Sequence, residues 1–269
     1  RRYCAPTISS VRRGIMSLRP NHGKTWYGRG MPYLTERRLP GHLVAIEGTD
    51  GVGRSTQIEL LRPWLELEGY AVSNTGWTRS PLLHATINEA KAGHQLTVTT
   101  FSLLYAADFA DRLEHEILPA LQAGFIVIAD RYMYTAFARN TVMGADPAWT
   151  RDLFGMALVP DLVLYLDVDV DTLVPRVVQG KGMDYWESGM HLALGTDLFD
   201  SFIRYQRNLI DEYRRLAEEF GFLTIDARRS IGEVQTGLRT HITEYLQKVA
   251  NHHAEPDVQA SAPPSSRKD

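Results

Sequence analysis

The sequence predicts an α/β fold, a five-stranded parallel sheet with helices on both faces. Three observations carry that reading. Strand-like and helix-like segments alternate between Gly41 and about Lys248, an order that calls for parallel strands joined by crossover helices. The runs "FIVIADRY" and "DLVLYLDVD" are continuously apolar before they end in acidic residues, the form of strands buried on both faces. A third apolar run, "HLVAIEG", passes directly into a glycine-rich loop and then a helix.

Taken in order, "HLVAIEG" is the first strand and "STQIELLRPWLELEGY" the helix after it, with Leu60, Leu61, Trp64, Leu65 and Leu67 as its apolar face. "YAVSNTGW" reads as a weaker second strand. "TTFSLLYAADFADRLEHEILPALQAG" is a long helix that Gly124 closes. "FIVIADRY" and "DLVLYLDVD" supply the third and fourth strands. "SFIRYQRNLIDEYRRLAEEFG" is a helix closed by Gly221, and "FLTIDA" is the fifth strand. Ligands of such sheets sit beyond the carboxyl ends of the strands, which singles out the segments after Glu47, Thr75, Ala129, Leu166 and Ile225.

The chain has 269 residues, 44% hydrophobic and 23% charged, with a formal net charge of -3. That suits one α/β domain with tails, and the near-neutral balance argues against nucleic acid as a partner. No stretch approaches ~18 consecutive apolar residues, so no membrane span is expected. The single cysteine, Cys4, fits a reducing compartment, the cytoplasm. Residues 1–40 read as a basic, partly disordered extension, with no acidic residue before Glu36. Its Arg-rich composition suits either an organellar transit peptide or a plain upstream extension. The domain is expected over residues 41–248, and the polar, Pro- and Ser-rich residues 249–269 read as a disordered tail.

Gly48-Thr-Asp50-Gly51-Val52-Gly53-Arg54-Ser55 has the spacing of a phosphate-binding loop, with arginine where lysine is usual. Its glycines allow positive φ, so backbone N–H groups can converge on phosphate oxygens, and the helix start at Ser55 or Thr56 adds positive potential. Ser55 can offer a hydroxyl to Mg²⁺. Arg54 keeps the charge and can hold two phosphate oxygens, but it is bulkier than lysine. The alternative is a chance glycine-rich turn, which the strand–loop–helix setting disfavours.

Asp130 ends an apolar strand, where a carboxylate can hold a Mg²⁺-bound water, and Arg131 follows it. Such pairs also serve as helix caps or surface ion pairs. Phe101, Tyr105, Asp108 and Arg112 fall on one helix face. They suit a flat base that needs stacking and an edge to hydrogen-bond, or else form an ordinary buried aromatic stripe.

The ordered set "EGTDGVGRSTQ", "TRSP", "LLYAADFADR", "ADRYMYTAFA", "PDLVLYLDVD" and "IDA" resembles the thymidylate kinase family, from about Gly41 to Tyr245. The resemblance implies a P-loop fold of the nucleoside monophosphate kinase type and transfer of the γ-phosphate of Mg·ATP to dTMP. It implies that Gly48, Asp50, Gly51, Val52, Gly53, Arg54, Ser55 and Thr56 bind the ATP phosphates, that Ser55 and Asp130 hold Mg²⁺, and that Arg54, Asp130 and Arg131 are catalytic. Asp50 would meet the deoxyribose 3′-hydroxyl, Arg79 and Arg131 the acceptor phosphate, and Tyr105 would stack on thymine. Phe101, Asp108, Arg112, Thr135 and Arg139 complete the expected acceptor set. Arg176, Lys181, Asp184 and Glu187 are the expected lid residues, and a homodimer is implied as well. Pro175 should kink or shorten the helix that leads to the lid.

Departures from the family cluster where substrate is read. Phe109 stands where an arginine touching the base is usual, and Arg112 is the available substitute. Arg139 replaces a tyrosine that crowds out a ribose 2′-hydroxyl, Asn140 a glutamine, and Tyr185 the lid arginine. Two other readings stay open on these residues: a P-loop kinase for another nucleotide or nucleoside, or a nucleotide-binding protein with impaired catalysis.

Overall fold

A computed structural model describes residues 24–31, 38–93, 96–180 and 182–254, with side chains to residue 251. Five strands, β1 (His42–Glu47), β2 (Val72–Gly76), β3 (Ile126–Asp130), β4 (Leu162–Asp167) and β5 (Leu223–Asp226), form one sheet in the order β2-β3-β1-β4-β5. Every pairing is parallel, as the crossover order requires. The helices are α1 (Arg54–Leu67), α2 (His84–Ala92), α3 (Val98–Arg112), α4 (Leu118–Gln122), α5 (Met133–Val142), α6 (Pro147–Leu153), α7 (Val170–Gln179), α8 (Leu198–Phe220) and α9 (Ile231–Ala254).

Successive strand side chains alternate between two cores. Leu43, Ala45, Val127, Ala129, Val163 and Tyr165 face a core shared with α3, α5 and most of α8. Val44, Ile46, Ile126, Ile128, Leu162 and Leu164 face the other, closed by α1, α7 and α9. Strands buried on both faces leave little alternation to read along the chain, hence the continuous apolar runs.

Several elements differ from their sequence expectation. The apolar face of α1 is Ile58, Leu61 and Leu65, all buried. Leu60 is 39% exposed and Leu67 88% exposed, because both lie on the opposite side of the helix from that i, i+3, i+7 stripe. The long helix contains a π-helical turn at Leu113–Ile117 between α3 and α4, and Gly124 follows with φ 83°. α7 continues through Pro175 to Gln179, for a proline removes only one amide from the ladder. α9 runs to Ala254, past the Lys248 boundary.

Residues before Gly41 join the domain too. Trp26 bridges Leu158, and Tyr27 packs against Phe137 and Phe220 at 5.3 and 6.1 Å between ring centroids. Lys24 pairs with Asp161, whose carboxylate also accepts from the Leu43 N–H at 2.7 Å. Residues 1–23 and 255–269 of the expected extension and tail lie outside the described residues. Among the described residues no helix is long and apolar enough to cross a membrane.

Candidate active site

β1 leaves toward β2, whereas the connection after β3 crosses toward β4, so the β1 and β3 ends form the switch point where open sheets bind ligands. Register pairs Ile46 with Asp130, bringing the glycine loop beside Asp130 and Arg131. Gly51 and Gly53 hold φ of 78° and 103°. A Cβ at Gly51 would come 2.4 Å from Val177, so α7 packs too close for a side chain there. Val52 sinks into the α1–α7 core at 4% exposure; only its backbone can face a phosphate. Ser55 and Thr56 are exposed in the first turn of α1, where unpaired amides favour an anion.

Arg54 turns inward, contrary to its expected grip on phosphate. Its Nε donates to Asp130 Oδ1 at 2.8 Å, and its Nη1 donates to the carbonyls of Gly48 and Thr49. Carbonyls that turn away from the N–H groups lining the loop need a partner, and a planar fork reaches both at once. The charge that would meet phosphate therefore braces the loop.

Ser55 Oγ donates to the other Asp130 oxygen at 3.3 Å. Burial pushes the Asp130 carboxyl up, but Arg54, Arg131 and Arg79 outweigh it and hold the group below its ordinary value. Asp130 is thus an anion at neutral pH. Among the described residues no group of three or more His, Cys, Asp or Glu side chains could hold a metal. One hydroxyl and one carboxylate oxygen fit a hard cation such as Mg²⁺, which keeps several waters and shares phosphate oxygens.

Arg131 adopts φ 71°, a region that costs a non-glycine residue about 1–3 kcal/mol. Its surroundings hold it there: its N–H donates to Ile46 O at 3.1 Å, Nη1 to Gly48 O at 3.1 Å, and Nη2 to Asp50. The other Asp50 oxygen accepts from Arg139 Nη2. Loop, β3 end and α5 are thereby tied through one carboxylate. Beneath them lies Glu47, 0% exposed, which accepts from the Tyr132 N–H at 2.8 Å and Thr135 Oγ1 at 2.7 Å. Burial pushes its carboxyl up, against the lowering effect of those bonds and of Arg131. Thr135 was expected to touch the acceptor; it is wholly buried on Glu47 and Tyr213.

A cleft opens from Arg131 toward an aromatic wall. Its lining includes Asp50, Arg79, Tyr105, Asp130, Arg131, Arg139 and Glu187, together with Trp77, Lys91 and Trp186. Four cations face three carboxylates here, a surplus that suits a bound anion. Tyr105 lies 5.0 Å from Trp77 and 4.2 Å from Phe101, which stacks behind it and reaches Trp186 at 5.7 Å. Burial pushes the Tyr105 phenol up to about 12, keeping it neutral against a base.

Asp108 and Arg112 do not reach this cleft as expected. Both are 0% exposed and paired at 2.9 Å. Asp108 also accepts from the Thr78 and Ser80 N–H groups at 3.1 and 3.0 Å, and Arg112 donates to Thr75 at 3.1 Å. Together they brace the turn that carries Arg79, a positioning task. Phe109 is also wholly buried.

The expected lid residues separate. Arg176 donates to Ala227 O at 2.8 Å, on the β5–α9 connection. Asp184 accepts from the Trp186 and Glu187 N–H groups at 2.8 and 3.2 Å and so shapes the turn. Glu187 lines the cleft. Lys181 lies outside the described residues. Trp77, Lys91, Trp186 and Glu47 were missed from sequence. Trp186 Nε1 donates to Lys91 O at 3.0 Å, a contact across 95 residues that no local pattern announces.

The site can therefore receive one polyphosphate on the loop amides and a second phosphate at Arg131 and Arg79, with a flat ring against Tyr105. Comparison with known proteins shows the family of the chain. Residues 46–238 match the family model described as thymidylate kinase. A "probable thymidylate kinase 2" of Saccharolobus solfataricus is 39% identical over 210 residues, covering 77% of this chain and 98% of the relative. A probable thymidylate kinase of Thermococcus gammatolerans is 33% identical, covering 72% and 92%. One of Pyrococcus abyssi is 31% identical, covering 73% and 93%. With its sheet, loop and strand-end pair in that order along the chain, this protein belongs to the thymidylate kinase family.

Proposed function

We propose that this chain transfers the γ-phosphate of ATP to the phosphate of dTMP, yielding ADP and dTDP. An acceptor phosphate oxygen forms a bond to the γ-phosphorus as the bond to the β,γ-bridging oxygen breaks, and ADP departs with that electron pair. Such transfer asks the protein for position and charge neutralisation rather than covalent help. The carrying observation is the Asp50 carboxylate shared by Arg131 and Arg139, which ties the donor loop to the acceptor clamp.

In this reading the loop and α1 amides take the donor phosphates, and Arg54 keeps the loop in shape. Arg131 and Arg79 draw the acceptor phosphate into line, and Tyr105 supports the base. Ser55 and Asp130 would hold Mg²⁺, whose chemistry when bound is neutralisation of phosphate charge. Trp186 and Glu187 keep water from the reacting ends. The lone Cys4 accords with a cytoplasmic enzyme.

Initial rates of ADP release from Mg·ATP with dTMP, dUMP, UMP and CMP test this. Release that depends on dTMP is expected, with dTMP the best acceptor. Release independent of every acceptor would overturn the kinase reading. A ribonucleotide as best acceptor would overturn the thymidylate assignment alone.

A further inference from the structure

Arg139 carries a donor that the site so far leaves unused. Its Nη2 is spent on Asp50, yet its Nε is buried without a hydrogen-bond partner among the described residues. A buried, unpaired N–H of a charged group is unfavourable, so an acceptor brought to it is bound with matching gain. Asp50 remains paired with Arg131 whatever Arg139 does.

Position says which acceptor. Asp50, Asp130 and Arg131 mark the phosphate end of the cleft, and Tyr105, Trp77 and Trp186 mark its apolar end. Arg139 belongs to both: it contacts Asp50 on one side, and it is the charge acting most strongly on the Tyr105 phenol. A nucleotide lying phosphate-to-base along the cleft crosses Arg139 at the junction of sugar and base. α3 offers no guanidinium to the cleft, since its one arginine, Arg112, is sealed on Asp108.

We propose that Arg139 contacts the acceptor itself and donates a hydrogen bond to the base carbonyl nearest the sugar, the 2-carbonyl of a pyrimidine. This rests on the monophosphate kinase reading above. It makes Arg139 a specificity-determining residue supplied from α5.

The test pairs one substrate atom with one side chain. Turnover is measured with dTMP and with its 2-thio analogue, whose sulfur is a poorer acceptor, for wild type, Arg139→Met and Arg139→Lys. Wild type should prefer dTMP by about tenfold in kcat/KM, and Arg139→Met should lose about 10- to 100-fold on dTMP while its preference falls toward unity. The KM for ATP should stay within about twofold, because Asp50 keeps its Arg131 partner and the loop keeps its Arg54 brace. Arg139→Lys keeps a cation beside Asp50 without the Nε donor; it should show the same lost preference and serves if the Met variant does not fold. Equal preference in wild type and variants would overturn the contact, as would an ATP KM that rises in step with that of dTMP. Wild-type protein inert toward dTMP would sink the thymidylate assignment and this inference together, whereas an active wild type with unchanged preference sinks only the role of Arg139.

Discussion

The phosphate loop and the acceptor cleft both rest on arginine–aspartate pairs, but they are assembled differently. The loop takes most of its shape from residues 48–55, glycine φ values and the Arg54 brace over carbonyls five and six residues back, to which Arg131 and Arg139 add bonds at Gly48 and Asp50. The cleft is gathered from the β2–α2 turn, α2, α3, α5 and residues 186–187. A site shaped locally can lose its chemistry and keep its fold. A site gathered from distant segments must spend packing on each wall, so damage there reaches stability as well.

The contrast is tested first at Asp130. Asp130→Asn should lower kcat about 10³-fold, since metal-ligand and charge-placement roles carry several kcal/mol. Its denaturation midpoint should move little, the Arg54 contact surviving as a neutral hydrogen bond. A loss below tenfold in steady-state assays would remove Asp130 from the chemistry.

The cleft should answer the other way. Arg112→Met leaves Asp108 charged and sealed, so urea unfolding should show a loss of about 3 kcal/mol or more. Adding Asp108→Leu should recover part of that loss. A single variant as stable as wild type would mean that the pair braces nothing.

Arg54→Lys probes the border between the two regions. An ammonium cannot span Asp130 and both loop carbonyls, so about 1 kcal/mol of stability should go. Turnover should stay within about tenfold of wild type, since amides rather than this side chain carry the phosphate. A collapse of kcat at unchanged stability would return Arg54 to direct contact with substrate.

The smallest effect concerns pH. Burial raises the Glu47 carboxyl above its ordinary 4.5, so the folded protein holds that proton more tightly than the unfolded chain. The stabilising contribution is full below the ordinary value and fades as pH climbs through the raised one. Wild type should therefore lose stability relative to Glu47→Gln as pH rises from about 4.5, read as diverging melting temperatures. Parallel melting curves across that range would contradict the assignment.

What could be read from sequence divides along the same line. Five strands and the loop were legible because each is a short contiguous pattern. Asp130-Arg131 was legible because a strand end marks it. The inward turn of Arg54 was not, for an arginine facing phosphate and one facing carbonyls look alike in one dimension. Asp108 and Arg112 share a helix face with Tyr105, but periodicity cannot say how far round the helix the cleft begins. Trp77, Lys91 and Trp186 meet only through tertiary packing. α9 did carry an unread signal: Ser230 and Glu233 form a capping box, with N–H to side-chain bonds of 3.0 and 3.3 Å.

The central claim is that the β1 and β3 ends hold donor and acceptor phosphates end to end, the donor on the loop amides and the acceptor on Arg131. Calorimetric titration of dTMP into protein saturated with a non-hydrolysable Mg·ATP analogue tests it, in wild type and Arg131→Gln. Wild type should take up one dTMP, and the variant should bind it at least about tenfold more weakly while its affinity for the donor analogue stays within about threefold. Equal dTMP affinity in the two proteins, or no dTMP uptake by wild type, would contradict it.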